Sequence, residues 1–549
     1  MQYHKVVDKI LKKHKGVYYQ PDRPTVIRHS IRNREAIASP QGFLYTYTLP
    51  ESTGRSPSDT MIVRNPESDS VIDWDSPSNL PIDQTTFSML WQDAIDQLQH
   101  KTHIYVTDRV LGADTAYSLP VRTVTDSALT SLFTLNMFRE VPEDLHHSLL
   151  GDLSYLLLVL PYEKIDTSRY HDRLRHLPGG KTSDMAIVMD YVNHLGLVYG
   201  SAYGGSVKKL MFTVMNYHLP LSGILPLHCS ANENDQGETS LFLGLSGTGK
   251  TSLSTDPERA LLGDDEHGWS DSGVANFENG CYAKLIDLDP SKEPEIFNAV
   301  FHKQTASRHG AIIENAMIYP NGTFDLSDDR LTPNSRASYP LSFLKSTKTS
   351  ACGSHPRNIL FLTADANGVL PPVACLDRDQ AMFWFLMGYT SKLAGTETGI
   401  VDPTSIFSRF FGEPFMPLLP DKYASLLGQK LDEHQTNCYL INTGWTGGPF
   451  GTGKRMDITL TRCIVNAVLD GKLDNVATYE DPIFNFRVPK SCPGISPTLL
   501  VPREAWGDDN LYTERAEKLA QEFCNVFDSV YSHKPIARFL QNQCPGRKS

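Results

Sequence analysis

The stretch GLSGTGKTSLS at residues 244–254 combines glycines, a lysine and hydroxyl residues at a spacing suited to binding phosphate. Gly244, Gly249, Lys250 and Thr251 follow the order G-x-x-x-x-G-K-T, directly after three apolar residues. In such a loop the glycines let backbone N–H groups wrap around phosphates, the lysine supplies positive charge, and the hydroxyl binds Mg²⁺. The stretch therefore predicts a nucleotide site at the start of a helix, but it leaves the reaction open.

An acidic pair follows soon after this loop. The run LLGDDEHGW (261–269) carries an apolar strand into Asp264 and Asp265, which is where an aspartate that organises Mg²⁺ is expected. The short separation leaves little room for the helix–strand–loop of a motor or a GTP switch. The H-R-D and D-F-G sets of protein kinases are missing as well. The pattern indicates a less common class of nucleotide-binding protein.

Four further segments stand out because they hold polar residues in an unusual local context. Tyr203 and two lysines lie in AYGGSVKK (202–209), His228 in LHCSAN, Arg336 in TPNSRASYP and Arg55 in GRSPSD. Taken singly, each has an ordinary structural explanation, because a lone histidine is usually a core or surface residue and a lone loop arginine is usually solvated. Their residue types alone assign no chemistry.

Bulk properties limit the class of protein. The 549 residues suggest at least two domains, and 40% hydrophobic and 21% charged residues are typical of a soluble protein. A net charge of -12 argues against a general nucleic-acid binder. The apolar runs are too short to predict a membrane span. Nine cysteines without a C-x-x-C pair, and no secretory signal, favour a reducing compartment, so we expect a cytoplasmic protein.

The apolar patterns predict a mixture of strands and helices, hence an α/β fold. Strands are expected in GFLYTYTLP (42–50), THIYVTD (102–108), KKLMFTVMNYHLP (208–220), TSLFLGL, RALLGDD, NILFLTAD and NCYLINTGW. Helices are expected at 378–395 and at 461–471, the latter with Thr461 as N-cap and a glycine at its end. A third helix is expected at 513–533, where a single apolar stripe indicates that it packs on the outside of the protein. Prolines in HLPLSGILPL place a domain boundary near residues 220–230.

The sequence blocks together resemble one family. From about residue 30 to about 535, GRSP, YGGSVKKLMFTVMNY, LHCSAN, GLSGTGKTSLS, LLGDDEHGW, NFENGCYAK, EPEIFNAV, NSRASYP, LTADANGVLPPV, GYTSKLAGTE and GTGKRMDITLTR occur in the order seen in ATP-dependent phosphoenolpyruvate carboxykinases. The resemblance implies a lyase that converts oxaloacetate and ATP to phosphoenolpyruvate, ADP and CO₂, as in gluconeogenesis.

The resemblance also implies an architecture. It predicts two lobes, an N-terminal substrate-binding domain of mixed α/β structure over residues 1–223 and a P-loop-containing mononucleotide-binding domain over residues 224–549, with the active site in the cleft between them. Mg²⁺ would accompany the nucleotide, and Mn²⁺ would lie at the substrate. The partners implied are these small molecules, without nucleic acid or membrane, and either a monomer or a homo-oligomer is compatible with the family.

Residue roles carry over to matching positions. Lys209, His228 and Asp265 would bind Mn²⁺, with Lys209 acting as a neutral amine whose pKa is lowered by the metal and by neighbouring cations such as Lys208. Arg55 and Tyr203 would hold the substrate, and Arg336 would bridge substrate and γ-phosphate. Asp264 would contact metal-bound water. The remaining positions would bind the nucleotide and its metal: Ser246, Gly247, Thr248, Gly249, Lys250, Thr251, Ser252, Glu293 at the ribose, and Arg455, Ile458 and Thr461 at the adenine.

Some positions depart from the family pattern, and two alternative functions stay open. Ser58 and Thr60 replace lysines that the family usually carries after Arg55, and Ser206 replaces a common glutamate beside Tyr203. Residues 302–310 are expected to form a surface insertion. The alternatives are the GTP-using carboxykinase class, which the GKRMDITLTR run disfavours, and a regulator that binds nucleotide without catalysis, which the complete set of polar residues disfavours.

Overall fold

The structure is a computed structural model, and it describes residues 2–301, 309–392 and 403–547. Most of the expected insertion at 302–310, and residues 393–395 of one expected helix, lie outside these residues. Within the described part of the chain, no helix has both the length and the apolar character needed to cross a bilayer.

The chain passes back and forth between two units. Unit 1 comprises Met1–Ser222, Asn276–Thr349 and Pro414–Leu418, and unit 2 comprises Gly223–Ala275, Ser350–Glu413 and Leu419–Ser549. The first crossing lies beside the boundary expected between residues 223 and 224. Residues 276–349 and 414–418 are expected in the C-terminal domain, but they pack with the N-terminal residues instead. The roles given to the two domains stay predictions.

Helices are distributed along both units. In chain order they are α1 Gln2–Lys13, α2 Arg23–Arg32, α3 Pro66–Asp69, α4 Gln84–Gln99, α5 Ala128–Met137, α6 Gly204–Leu221, α7 Lys250–Ser254, α8 Pro294–Phe301, α9 Arg378–Met387, α10 Pro420–His434, α11 Ile458–Leu469, α12 Pro497–Leu500, α13 Pro502–Trp506, α14 Asp509–Tyr531 and α15 Ala537–Leu540.

Strands form the frame of each unit. They are β1 Val17–Tyr19, β2 Ile37–Ala38, β3 Leu44–Thr46, β4 Thr60–Val63, β5 Leu80–Ile82, β6 Ile104–Leu111, β7 Leu119–Thr125, β8 Tyr155–Leu160, β9 Ala186–Asp190, β10 Leu195–Tyr199, β11 Leu225–Glu233, β12 Thr239–Leu243, β13 Ala260–Gly263, β14 Glu266–Ser270, β15 Gly273–Asn276, β16 Gly280–Lys284, β17 Ile312–Glu314, β18 Met317–Ile318, β19 Phe324–Asp325, β20 Arg336–Pro340, β21 Cys352–Gly353, β22 Pro356–Thr363, β23 Val373–Leu376, β24 Tyr389–Lys392, β25 Thr404–Phe407, β26 Asn437–Asn442, β27 Trp445–Thr446, β28 Lys454–Arg455, β29 Thr478–Glu480 and β30 Arg487–Pro489.

Unit 1 is built on a mixed eight-stranded sheet in the order β1-β6-β7-β8-β10-β9-β4-β5. Apolar side chains of α1 and α4 pack on one side of it, among them Phe87, Leu90 and Trp91, which are at most 3% exposed. A second sheet of unit 1, in the order β16-β20-β17-β3-β2, carries several of the polar residues considered below. The predicted strands at 42–50 and 102–108 are confirmed, as β3 and β6.

The strand predicted at 208–220 is wrong, because this run lies inside the 18-residue helix α6. The helix is buried nearly all round, and periodicity cannot distinguish a fully buried helix from a buried strand. Pro220 lies within its last turn and does not end a strand. The helical spacing has a chemical consequence, since residues three and four apart share a face: Ser206, Lys209 and Thr213 point the same way.

Other helix boundaries also differ from the predictions. The helix expected at 378–395 ends at Met387, because Gly388 adopts a left-handed conformation with φ of 55° and the chain then continues as β24. The helix expected to begin with Thr461 as its N-cap begins at Ile458, where the Asp457 side chain accepts the capping bond from the N–H of Thr459. The predicted helix at 513–533 is confirmed as α14, although Val530 of its apolar stripe is 36% exposed.

Unit 2 is organised by an eleven-stranded sheet. Its central strands β12, β22 and β26 are parallel and buried, as their apolar runs predict. Parallel strands bring their carboxyl ends to one edge, so the loop after β12 and the residue Thr443 after β26 meet there. On the other side of β12 the antiparallel strand β11 pairs with both β13 and β14, and it carries His228.

Candidate functional site

The loop at residues 244–249 has the backbone that its glycines predict. Gly247 and Gly249 have φ of 85° and 90°, in the left-handed region that favours glycine. The Thr248 hydroxyl donates to the Leu245 carbonyl at 2.8 Å, and the Thr248 carbonyl accepts from the Thr443 hydroxyl at 3.1 Å. The loop is therefore tied internally and anchored to the end of β26, while its tip stays exposed for a ligand.

The helix that follows this loop is shorter than the motif leads one to expect. Helix α7 spans five residues, from Lys250 to Ser254. So short a helix contributes little macrodipole, and the N–H groups of the loop itself are the main backbone donors available to a phosphate. Thr251 and Ser252 are partly buried in α7, and the Ser252 carbonyl accepts from the Arg462 guanidinium at 3.2 Å.

Three of the predicted site residues meet in unit 2. Lys250 Nζ lies 2.7 Å from Asp265 Oδ1 and 3.3 Å from His228 Nε2, and the last two atoms are 3.0 Å apart. Their side chains are between 11% and 18% exposed. Asp264 is on the same turn and is held by its carbonyl, which accepts from the Ser230 hydroxyl at 2.5 Å. The acidic turn is thus packed against Lys250, which directly follows the 244–249 loop.

The orientation of His228 is set by a turn that the sequence did not reveal. Its Nδ1 lies 2.5 Å from the Phe411 carbonyl oxygen, and a carbonyl only accepts, so Nδ1 carries a proton and Nε2 is the nitrogen that faces Lys250 and Asp265. Phe410 and Phe411 both have left-handed φ angles, 61° and 55°, which are strained for aromatic residues. A Cβ on Gly412 would lie 3.1 Å from the His228 Cβ, so glycine permits the close approach.

This donor set fits a divalent cation. Nε2 of His228 and an oxygen of Asp265 both lie beside one positive charge, the Lys250 ammonium. A neutral imidazole with its other nitrogen bonded to a carbonyl is the usual form of a metal-binding histidine. Nitrogen and carboxylate oxygen ligands together suit ions such as Mn²⁺.

The residues expected at the adenine lie around β28 and α11. The Arg455 guanidinium donates to the Gly247 carbonyl at 3.1 Å and lies 5.5 Å from the centre of the Trp445 ring. Arg455 therefore connects its own glycine-rich segment to the 244–249 loop. Ile458 packs partly against the core, while Thr461 is only 1% exposed and donates to the Asp457 carbonyl. Buried in this way, Thr461 offers little surface to a ligand.

The other candidate residues belong to unit 1, where α6 presents Lys209. A pocket there is lined by the polar face of α6 and by Arg55, Thr60 and Phe415. The Phe415 ring lies between two cations, since the Arg55 guanidinium is 4.6 Å and Lys209 Nζ is 4.7 Å from its centre. Lys209 also lies 4.7 Å from the centre of the Phe212 ring. Aromatic faces attract cations, so these rings orient both side chains.

Lys208, which is expected as a neighbouring cation of Lys209, is itself paired with a carboxylate. Its Nζ forms an ion pair with Glu278 Oε2 at 2.9 Å, and both side chains are at most 3% exposed. Consecutive residues of a helix point about 100° apart, so Lys208 is directed into the unit while Lys209 lines the pocket. The charge of Lys208 is therefore balanced by its own partner.

Tyr203 and Arg336 are linked through one asparagine. Asn334 Nδ2 is 3.4 Å from the Tyr203 hydroxyl, and Asn334 Oδ1 accepts from Arg336 Nε at 3.0 Å.

Glu293 also belongs to unit 1, half-buried immediately before α8. Of the positions that depart from the family pattern, Thr60 and Ser206 line the Arg55 pocket, whereas Ser58 is exposed.

Several residues of this arrangement were missed from the sequence. Phe411, Phe415 and Asn334 act through a carbonyl, a ring face and an amide, and none of these has a local spacing pattern. The only available signal was the position of Asn334 two residues before Arg336 in NSRASYP.

Comparison with known proteins identifies the family. A family model described as phosphoenolpyruvate carboxykinase matches residues 15–498. Proteins named phosphoenolpyruvate carboxykinase (ATP) match over nearly full length: that of Caldanaerobacter subterraneus is 42% identical over 97% of each chain. The one of Thermus thermophilus is 42% identical over 94% of this chain and 95% of its own. The one of Brucella anthropi is 41% identical over 95% and 94%. The chain therefore belongs to the ATP-dependent phosphoenolpyruvate carboxykinase family.

Proposed function

We propose that the chain catalyses the conversion of oxaloacetate and ATP to phosphoenolpyruvate, ADP and CO₂. Family membership over residues 15–498 supports the activity. The observation that carries the proposal within the molecule is the contact of Lys250, Asp265 and His228, with the 244–249 loop beside it. This arrangement joins a phosphate-binding lysine to a set of metal-binding donors, which is what transfer of a phosphoryl group to an enolate requires.

The reaction breaks the bond between C3 and the C4 carboxylate of oxaloacetate. The electron pair of that bond passes to the enolate as CO₂ leaves, and the enolate oxygen then attacks the γ-phosphorus of ATP while the bond to the ADP oxygen breaks. Arg55 and Tyr203 hold the substrate carboxylate through charge and a hydroxyl donor. Lys250 and the N–H groups of residues 246–249 hold the phosphates, and Arg336 offsets the charge that moves during transfer.

Divalent ions complete the proposed site. His228 and Asp265 would hold Mn²⁺, a role that the family resemblance also gives to Lys209, and the Thr251 hydroxyl would hold the Mg²⁺ of the nucleotide. When bound, such an ion polarises the substrate oxygen and stabilises the charge that develops there. For this role Nε2 of His228 must be unprotonated, while Nδ1 is already occupied by its bond to the Phe411 carbonyl.

One assay separates this function from its alternatives. Purified protein is mixed with oxaloacetate, Mn²⁺ and either ATP or GTP, and the release of nucleoside diphosphate and phosphoenolpyruvate is followed. We expect turnover with ATP and much less with GTP. Preference for GTP would indicate the GTP-using class, and ATP binding without turnover would indicate a nucleotide-binding regulator. A cytoplasmic location, the absence of nucleic-acid or membrane partners, and either a monomer or a homo-oligomer stay predictions.

Replacing Phe415 with leucine tests the aromatic face in the Arg55 pocket. The leucine keeps apolar volume but removes the ring that both Arg55 and Lys209 approach. Each cation–π contact is worth about 1 kcal/mol, so we expect kcat/KM for oxaloacetate to fall about tenfold while the KM for ATP is unchanged. Steady-state kinetics measure both, with Phe539→Leu, at a 73% exposed position, as the control. An equal loss of kcat/KM for oxaloacetate and for ATP would contradict the assignment of the Arg55 pocket to oxaloacetate.

A further inference from the structure

A buried carboxyl group lies behind Tyr203 and Arg336. Glu314, the last residue of β17, is 5% exposed and pairs in register with Arg336 at the start of β20. Tyr282 on the neighbouring strand β16 is 7% exposed, and its hydroxyl donates to Glu314 Oε2 at 2.5 Å. Neither residue is among those to which the family resemblance gives a role. A buried carboxyl group requires a specific reason, because desolvation of its charge is costly.

Glu314 also holds the beginning of helix α6. The backbone N–H of Gly204, the first residue of that helix, donates to the carboxylate. A Cβ at Gly204 would lie 2.8 Å from Glu314 Oε1 and 2.6 Å from the Phe133 ring, so only glycine permits this approach. Tyr203 directly precedes Gly204, and Lys209 lies on the same helix. The Glu314 carboxylate therefore fixes the start of helix α6, and with it the position of Tyr203 just before the helix and of Lys209 within it.

The Tyr282 side chain transmits the same constraint to Arg336. Its ring centre lies 5.7 Å from that of Tyr203 and 5.7 Å from the Arg336 guanidinium carbon. The Tyr282 carbonyl also accepts from Arg336 Nη1 at 3.4 Å. The phenol ring thus touches two proposed substrate-binding side chains on one side, while its hydroxyl is bonded to Glu314 on the other.

We propose that Glu314 is a positioning residue, which acts through Tyr282 and through the first turn of α6 to hold Tyr203 and Arg336 in place for the dicarboxylate substrate. This inference rests on the proposed function. Glu314 itself does not touch the reacting atoms. Its ionised form accepts both hydrogen bonds, whereas a protonated carboxyl group turns one oxygen into a donor and cannot serve both partners equally.

The surroundings of Glu314 place its pKa near neutral pH. Burial raises the pKa of Glu314 to about 7, against the hydrogen bonds from Tyr282 and Gly204 and the positive charge of Arg336, which lower it. Tyr203 just before α6 and Tyr162 after β8 also face the group. As pH falls through about 7, the carboxylate is lost. Oxaloacetate binding is then expected to weaken, since the two hydrogen bonds that orient Tyr203 and Arg336 loosen together.

Replacing Glu314 with glutamine imitates the protonated state at every pH. We expect the KM for oxaloacetate to rise about tenfold, the KM for ATP to stay unchanged, and the inflection of kcat/KM near pH 7 to disappear. Glu143→Gln, at an exposed loop position, is the matched control and is expected to keep the wild-type profile. A Glu314→Gln protein with an unchanged oxaloacetate KM and an unchanged pH profile would overturn the proposal.

Tyr282→Phe provides a second, independent variant. The ring stays, but the hydroxyl that lowers the pKa of Glu314 is removed, so the inflection is expected to move to higher pH. Should Glu314→Gln fail to show a cooperative thermal melt, this shift decides the question, and an unmoved inflection would contradict the proposal.

Binding of oxalate, measured by calorimetry above and below pH 7, separates this inference from the proposed activity. A wild-type protein that fails to turn over refutes the activity. Oxalate affinity that falls at low pH in wild type, and is low at both pH values in Glu314→Gln, would still support the positioning role. Equal affinities in the two proteins at both pH values would refute it.

Discussion

Asp265→Asn is expected to reduce kcat by about a thousandfold or more while leaving ATP binding largely intact. Asp265 Oδ1 lies 2.7 Å from Lys250 Nζ and 3.0 Å from His228 Nε2, so its charge organises both neighbours. An amide keeps the shape of the side chain but loses the negative charge that binds a cation. The loss corresponds to about 4 kcal/mol of transition-state stabilisation. Turnover is measured with saturating ATP and Mn²⁺, and ATP binding by calorimetry.

The control for this variant is Asp235→Asn, at an exposed turn of the same unit. It is expected to keep wild-type kinetics, which excludes a general effect of removing one negative charge. Should Asp265→Asn weaken ATP binding in proportion to turnover, the carboxylate would serve the nucleotide and the assignment of a substrate-site metal to it would be wrong. A Mn²⁺ titration of each protein distinguishes these outcomes directly.

Arg336→Gln is the second change with a large expected effect. The guanidinium of Arg336 is held by Asn334 and by the Tyr282 carbonyl, which fixes the direction of its charge. An arginine that stabilises a transferring phosphoryl group contributes about a thousandfold to kcat or more, so we expect a loss of that order. Steady-state kinetics with both substrates varied measure kcat and the two KM values separately.

Two comparisons sharpen the Arg336 experiment. Arg336→Lys keeps the charge but lacks the planar fork, and an intermediate loss of kcat is expected. Arg330→Gln, at a side chain that is 76% exposed, should leave the kinetics unchanged. A raised oxaloacetate KM with an unaltered kcat in the Arg336→Gln protein would mean that this arginine binds substrate without acting in phosphoryl transfer.

Strong local patterns were sufficient for part of the fold and part of the site. The buried parallel strands β12, β22 and β26 are short apolar runs with polar ends, and the loop after β12 carries its chemistry in its spacing. Helix α6 was misread because burial on all sides removes the polar stripe that distinguishes a helix. The meeting of Lys250 with His228 depends on the pairing of β11 with β12, which no local pattern encodes.

The supporting residues could not have been found in the same way. Phe415 lies far along the chain from Arg55 and Lys209, and it reaches them only through the path of the chain in three dimensions. Glu314 and Tyr282 are a single acid and a single phenol in ordinary strand sequence. Their significance comes from burial and from their partners, both of which depend on sheet order.

Synthesis on the ribosome delivers the chain from its N-terminus, and the interrupted path of unit 1 matters for that process. The eight-stranded sheet is complete once residue 199 has emerged, whereas β16, β17 and β20 follow only between residues 280 and 340. Phe415 arrives later still, in the segment Pro414–Leu418. The nascent protein must therefore carry an unfinished first unit, with apolar surface uncovered, through most of its translation. That interval is when such chains aggregate most readily and when chaperones are most useful.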